Sequence, residues 1–195
     1  MRTVPPAVVK NVQELIYWQY AKIIAQSAGL SKKDYGFVTN KFKQLNQGVI
    51  TWNELREYIK EKGQQECGYC GNKADLTLEH LLPQKFNGPN NERNVIWVCK
   101  SCNAKKGAKR LYEYHVYKGG LNEAKYKVPR IAEGKYLKFA YDTLQANNML
   151  QLKISDLTAQ ICPECDLKSL CIKEGTEGKL STLCIDGLLT LCFKK

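Results

Sequence analysis

The chain has 195 residues, of which 44% are hydrophobic and 25% are charged. This composition is typical of a soluble globular protein with one large or two small domains, and no apolar run is long enough to span a membrane. The formal net charge of +11 is high and favours a polyanionic partner.

The positive charge is concentrated in one part of the chain. Residues 67–110 contain 8 Lys and Arg against 3 Asp and Glu, a net +5, whereas residues 161–195 contain 5 of each kind. A basic chain can also be basic for solubility alone. The concentration nevertheless favours a local contact with a polyanion.

Nine cysteines suit either a secreted disulfide-rich protein or an intracellular metal protein. The first residues read MRTVPPAVVKNV, with a proline pair where the apolar stretch of a signal peptide would begin. Cysteine pairs with C-x2-C spacing indicate metal thiolates. We therefore expect a cytoplasmic protein with no membrane contact.

The N-terminal residues 1–63 are predicted to be helical. Apolar residues recur at helical spacing over Ala7–Ala28, and a second helix is predicted around Phe37–Leu45. A third helix begins at Thr51, which would form a capping box with Glu54. These helices would make a small bundle, for which packing is the default role and DNA binding an open alternative.

The middle of the chain predicts two short strands and a basic helix. Residues 74–79 and 94–98 have strand character, and a polar loop rich in Asn, Gly and Pro lies between them. From Lys100 the sequence KSCNAKKGAKRLYEYHVY predicts one basic helix.

Seven aromatic residues follow within residues 111–142. Aromatic residues interleaved with lysines can stack on bases, but this spacing favours a place in the core. Pro129 predicts the start of a further helix that runs to about Met149.

The most informative stretch contains two C-x2-C pairs, Cys67/Cys70 and Cys99/Cys102. Zinc prefers four thiolates at the corners of a tetrahedron, and two such turns separated by a hairpin can close one site. Two reduced or disulfide-bonded pairs without metal are the alternative. The paired spacing predicts a structural zinc ion.

A second set of polar residues lies between and after these cysteines. His80 follows a strand and can take a proton from water near neutral pH. Its neighbour Glu79 and the later Asn103 offer oxygen ligands for Mg²⁺ or Mn²⁺, and a metal with two protein ligands keeps positions for phosphate oxygens. Phosphate contacts are predicted for the basic residues of the adjoining helix, which are Lys105, Lys106, Lys109 and Arg110.

This arrangement resembles the HNH endonuclease family, whose fold is the ββα-metal motif. The family pattern has a C-x2-C knuckle, an Asp-His-x-x-Pro sequence, a central Asn and C-x2-C-[HN]-x-x-K. The corresponding residues here are Cys67–Cys70, Glu79-His80-Leu81-Leu82-Pro83, Asn94 and Cys99–Lys106. The resemblance implies that His80 is the general base and that Glu79 and Asn103 ligate the catalytic metal. It also implies that Asn94 fastens the loop that aims His80.

The match departs from the family pattern at two positions. Glu79 replaces the usual Asp, and its longer side chain could shift the metal. Asn103 replaces the last His, which is a common variant in the family. His115, the other histidine, lies outside the pattern and is expected to be structural.

The resemblance implies a metal-dependent DNA endonuclease, with a restriction-type or homing-type role both open. One site of this kind cuts one strand, so double-strand cleavage would need a homodimer or two successive nicks. A non-catalytic zinc-containing nucleic-acid-binding protein is the main alternative. An RNA-directed nuclease or an intracellular toxin is the third.

The last part of the chain contains a second cysteine cluster. Cys162, Cys165 and Cys171 have the spacing C-x2-C-x5-C, which predicts a metal centre. The IDGL sequence at 185–188 predicts a hairpin turn, which would place Cys184 and Cys192 on opposite faces. We take Cys184 as the fourth ligand, with Cys192 as the alternative.

The cysteine triplet of this cluster also resembles the [4Fe–4S] loop of endonuclease III-type DNA glycosylases, although there the fourth cysteine precedes the triplet. A [4Fe–4S] cluster is therefore favoured, with a second zinc ion or no metal as the alternatives.

These observations predict an α+β fold that is mostly helical, with a central ββα-metal core. Four regions are expected: a helical region over 1–63, the HNH core over 64–118, a second helical region over 119–160 and a cysteine-rich metal-binding tail over 161–195.

Overall fold

A computed structural model of the chain describes residues 5–30, 34–52, 66–119 and 128–194. These ranges are mostly helical and contain a two-stranded antiparallel sheet, which is the predicted α+β class. In chain order the longer elements are α1 Val12–Ser27, α2 Tyr35–Asn46, β1 Leu76–His80, β2 Val95–Cys99, α3 Lys100–Lys106, α4 Leu111–Gly119, α5 Arg130–Ala146, α6 Lys168–Lys173 and α7 Thr182–Cys192. Short helical turns lie at Gln84–Phe86, Ile154–Asp156, Leu157–Ile161 and Cys162–Glu164.

Most elements predicted from the sequence are confirmed with small shifts of their ends. They are the first two helices, both strands and the helix after Pro129. The helix predicted after Thr51 lies outside the described residues. Within the described ranges, no helix combines the length and the apolar character needed to cross a membrane.

Helix α1 forms the centre of the hydrophobic core. Asn11 caps it, because its side-chain oxygen accepts a hydrogen bond of 2.9 Å from the N–H of Glu14. Buried side chains occupy most of its faces, since α2, α5 and α7 all pack against it. One continuous core therefore joins residues from the N-terminal, middle and C-terminal parts of the chain.

The two strands form a hairpin whose end leads directly into α3. Leu76 pairs with Cys99 and His80 pairs with Val95, so the register is continuous over five residues. Helix α3 begins at Lys100, the residue after β2, and packs against both strands. This is the ββα arrangement that the sequence predicts.

The predicted basic helix from Lys100 is wrong in one respect, because it is two helices. Gly107 has a φ of +53°, which ends α3, and α4 begins at Leu111. Of the aromatic residues that follow, those whose burial the structure describes are buried or pack against the core, as expected. Tyr112 and Tyr136 are fully buried and their rings meet edge to face at 5.6 Å.

The hairpin predicted at 185–188 is also wrong, because these residues lie inside α7. Apolar side chains at helical spacing are buried along this helix, including Leu183 and Leu188. The Asp-Gly pair that suggests a turn has tertiary partners instead. The carboxylate of Asp186 accepts hydrogen bonds from the Tyr136 hydroxyl at 2.6 Å and from the N–H of Glu113 at 2.7 Å.

Candidate metal centre and active site

The four cysteines of the two C-x2-C pairs converge on one point. The sulfur atoms of Cys67, Cys70, Cys99 and Cys102 all lie within 4.8 Å of one another. Cys70 and Cys99 are 3.7 Å apart, close to the separation of about 3.8 Å expected around one zinc ion with Zn–S bonds of about 2.3 Å. All four are free thiols. The cluster therefore fits a structural zinc site.

The first knuckle is fastened to β2 by backbone contacts. The N–H of Gly68 donates to the carbonyl of Trp97 at 2.8 Å, and the N–H of Tyr69 lies 3.4 Å from the Cys67 sulfur. A Cβ at Gly68 would come within 2.6 Å of Cδ1 of Ile96 and 3.3 Å of the Trp97 carbonyl oxygen, so a larger residue there would have to displace the Ile96 side chain.

The thiols of this centre differ in acidity before metal binds. Burial raises the pKa of Cys67, but backbone N–H groups of Cys99, Tyr69 and Cys70 stabilise its thiolate and bring the pKa down to about 7. Burial and the neighbouring sulfurs raise the pKa of Cys102. Zinc therefore has to displace protons, which makes its affinity fall as the pH falls.

Glu79 points to the interior of the ββα unit, where it forms an ion pair with a lysine. It is 6% exposed, and its Oε1 accepts a hydrogen bond of 2.5 Å from Nζ of Lys106 on α3. The same ammonium group donates to the carbonyl oxygen of His80 at 2.9 Å. Burial lowers the pKa of Lys106, and the charge of Glu79 opposes this effect.

His80 ends β1, beside Glu79 but on the opposite face of the strand, where it is half-buried. Its Nε2 lies 3.2 Å from Oδ1 of Asn90, a residue of the polar loop between the strands. An amide oxygen can only accept a hydrogen bond, so this contact is a hydrogen bond in the tautomer that carries the ring proton on Nε2. In that tautomer Nδ1 carries the lone pair of the ring.

Asn94 is fully buried and holds the loop after His80 together. Its Oδ1 accepts from the N–H of Leu82 at 2.8 Å, and its Nδ2 donates to the carbonyls of Leu82 and Pro89, each at 2.9 Å. The backbone of Gly88 packs directly against Leu82, and a Cβ at Gly88 would lie 1.9 Å from the Leu82 carbonyl oxygen. One side chain therefore joins both ends of the loop.

Asn103 lies on α3, half-buried and one turn before Lys106. Side chains three residues apart share a helix face, so Asn103 lies on the side of α3 from which Lys106 reaches Glu79. Asn103 thus shares a helix face with the lysine that pairs with Glu79, whereas the His80 side chain lies on the opposite face of β1 from Glu79.

Residues 67–109 match the model of the HNH endonuclease family. The match begins at the first zinc knuckle and ends in the turn after α3, so it contains both cysteine pairs, His80, Asn94 and Asn103. No curated protein and no solved structure matches the chain. The HNH match supports a nuclease-type or nucleic-acid-binding function with DNA as the partner.

Two of the four basic residues predicted to contact phosphates in this HNH region are buried, which corrects that prediction. Lys106 is 0% exposed and pairs with Glu79, and Arg110 is 1% exposed. The Arg110 guanidinium donates to both carboxylate oxygens of Asp166 at 3.0 Å, and it lies 4.4 Å over the ring of Phe86. For the exposed Lys105 and the half-buried Lys109, phosphate contact stays a prediction.

The remaining site predictions concern His115 and the tail cysteines. His115 is buried and packs edge-on against Tyr69 behind the zinc knuckle, as a structural histidine would. Cys192 lies away from the other tail cysteines, with its sulfur 3.7 Å from that of Met149, so it is not an alternative fourth ligand.

The sequence did not identify Asn90, because the loop contains several asparagines in a similar context. The pairing of Lys106 with Glu79 could have been expected from the sequence. Lys106 follows Asn103 by three residues and shares its helix face, and Asn103 is predicted to bind the same metal as Glu79.

Proposed function

We propose that residues 67–109 form a metal-dependent DNA endonuclease site of the HNH type that hydrolyses phosphodiester bonds. One observation carries the proposal. The ring of His80 stands at the end of β1, which pairs with the strand that ends in Cys99 of the four-cysteine site, and its Nε2 lies 3.2 Å from Oδ1 of Asn90. A histidine that is oriented in this way suits a general base.

In the tautomer that donates to Asn90, Nδ1 of His80 is the ring nitrogen that would accept a proton from water. The hydroxide that results would attack a phosphodiester phosphorus. Asn94 supports this step indirectly, because its three hydrogen bonds fix the loop from which Asn90 reaches the ring.

Glu79 and Asn103 are the residues proposed to bind the catalytic metal. Lys106 contacts Oε1 of Glu79, and an ionised carboxylate keeps further acceptor positions beside one such contact. Carboxylate and amide oxygens suit Mg²⁺ or Mn²⁺, which would polarise the scissile phosphate and stabilise the leaving oxygen.

Lys105 and Lys109 are proposed to contact DNA phosphates next to this site. A restriction-type or homing-type role is consistent with one such site in each chain. Cleavage of both strands would then require a homodimer or two successive nicks.

The test is cleavage of supercoiled plasmid by the full chain with Mg²⁺, with Mn²⁺ and with a chelator. We expect metal-dependent nicking that falls at least 100-fold in His80→Ala, since general-base catalysis contributes about 10²–10⁴-fold. Leu78→Ala is the matched control, because Leu78 lies two residues earlier on the same face of β1 and is exposed. Undiminished cutting by His80→Ala, or no cutting by the wild type, would contradict the proposal.

A non-catalytic nucleic-acid-binding protein is the second candidate, and one observation favours it. Glu79, a proposed metal ligand, is already paired with a buried ammonium group. In that case plasmid would be retarded in gels but never cut, and His80→Ala would bind as tightly as the wild type. Binding and cleavage measured on the same samples separate the two candidates.

A further inference from the structure

Four cysteines of the C-terminal region line one cavity outside the HNH region. They are Cys162, Cys165, Cys171 and Cys184. All four are free thiols, and the cavity that they line is open to solvent. They come from three places in the chain: the turn at Cys162–Glu164 with the residue after it, α6 and α7. We propose that this cavity binds a [4Fe–4S] cluster through the four thiolates.

The spacing of the sulfurs distinguishes this site from the zinc centre. In the described part of the chain, the first cysteine set alone has three or more ligand atoms within 4.8 Å of one another. A single zinc ion would need the sulfurs about 3.8 Å apart. A [4Fe–4S] cluster places an iron atom behind each thiolate, so its ligands stand further apart around a larger volume. No three of the four tail sulfurs lie within 4.8 Å of one another in the described residues, which favours the larger cluster over a single zinc ion.

Helix α7, which carries Cys184, leaves room for the Cys165 sulfur at Gly187. Gly187 lies in the interior of α7, where glycine costs about 1 kcal/mol relative to alanine. A Cβ at Gly187 would lie 3.0 Å from the Cys165 sulfur. Leu157, Leu183 and Leu188 complete an apolar lining that keeps water from the ligands.

The charged residues that line the cavity are Lys168, Lys179 and Glu177, which together carry a net positive charge. Iron bound through four thiolates creates negative charge, which the two ammonium groups would offset.

The site is joined to the HNH region by few residues. Asp166 follows Cys165 and pairs with Arg110, which stacks on Phe86 in the loop after His80. Asn87 of the same loop donates to the carbonyl of Phe193 at 2.9 Å. The cluster would thus brace the tail against that loop, a structural role that holds whether or not the HNH region is catalytic.

The test is elemental analysis and visible spectroscopy of the full chain prepared without oxygen. We expect about four iron atoms, matching sulfide and one zinc ion per chain, with the broad visible absorption of a [4Fe–4S] cluster. Cys184→Ser should lower the iron content at least five-fold. Cys192→Ser is the matched control on the same helix and should keep its iron, because Cys192 lies outside the cavity.

A folding defect in Cys184→Ser is checked by its zinc content, since the zinc centre reports the fold of the HNH region. Cys162→Ser, at a half-buried position, serves as the second variant and should also lose iron. A colourless protein without iron, two zinc ions per chain, or equal iron loss in Cys192→Ser would overturn the proposal.

Discussion

At the scale of single residues, the loop after His80 depends on polar side chains that bond to the backbone. Asn94 satisfies two groups of Leu82 and one of Pro89 while fully buried. Buried polar groups without partners are costly, so such a residue cannot be exchanged for an apolar one of similar size. The family pattern predicts this asparagine. It does not predict Asn90, whose role depends on how the loop folds back over His80.

We expect Asn94→Ala to lower the free energy of unfolding by about 3 kcal/mol, because it leaves three buried backbone groups without a partner. Urea unfolding of the zinc-loaded protein measures this. Asn147→Ala is the control, since Asn147 is exposed and its one side-chain bond is local. Equal stability of the two variants would show that Asn94 does not hold the loop.

At the scale of secondary structure, local patterns predicted the elements and tertiary contacts decided their ends. The hairpin, its two knuckles and the helix after Pro129 follow from alternation, cysteine spacing and helix-start signals. The break between α3 and α4 depends on one glycine with positive φ. The helix α7 was missed because an Asp-Gly pair suggests a turn, whereas here Tyr136 and the backbone of Glu113 bind the aspartate within a helix.

Gly107 should therefore be sensitive to any side chain. At its φ of +53° an alanine is strained, and we expect Gly107→Ala to destabilise the fold by about 1–3 kcal/mol. Gly36 in α2 is the matched control, because it has open space around it and an ordinary helical position. Gly36→Ala should instead stabilise by about 0.4–1 kcal/mol. Thermal unfolding compares the two, and shifts of the same sign would refute this account of the break.

At the scale of the whole molecule, a buried ionic cluster joins the HNH region to the last helix. Arg110 is surrounded by the acidic residues Glu113, Asp166 and Asp186, and Asp186 is fully buried. Breaking such a cluster by removing one member costs about 3–5 kcal/mol. No local pattern predicts it, since its members are up to 76 positions apart between Arg110 and Asp186.

This cluster gives stability a specific dependence on pH. Burial raises the pKa of Asp186 from 3.8 to about 6, and the charge of Arg110 and the Tyr136 hydrogen bond oppose the rise. A carboxyl whose pKa is higher in the folded state stabilises the protein below pH 3.8, and this contribution is lost as the pH rises to about 6. The sign is opposite to that of most ion-paired carboxylates.

We compare the free energy of unfolding of the wild type with that of Asp186→Asn. The wild-type value minus the variant value should be smaller at pH 7 than at pH 4, by at most about 3 kcal/mol. Urea unfolding of both proteins at several pH values, with zinc present throughout, measures it. The effect of pH on the metal centre is common to both proteins and cancels. A difference that rises with pH would contradict the assignment.

The burial of Lys106 has a consequence for how strongly salt weakens DNA binding. Each phosphate neutralised by a lysine or arginine releases condensed counterions, so the slope of log affinity against log salt reports the number of such contacts. Lys106 and Arg110 already have carboxylate partners inside the protein and release none. The slope of log affinity against log salt should therefore be smaller than the net charge of +11 suggests.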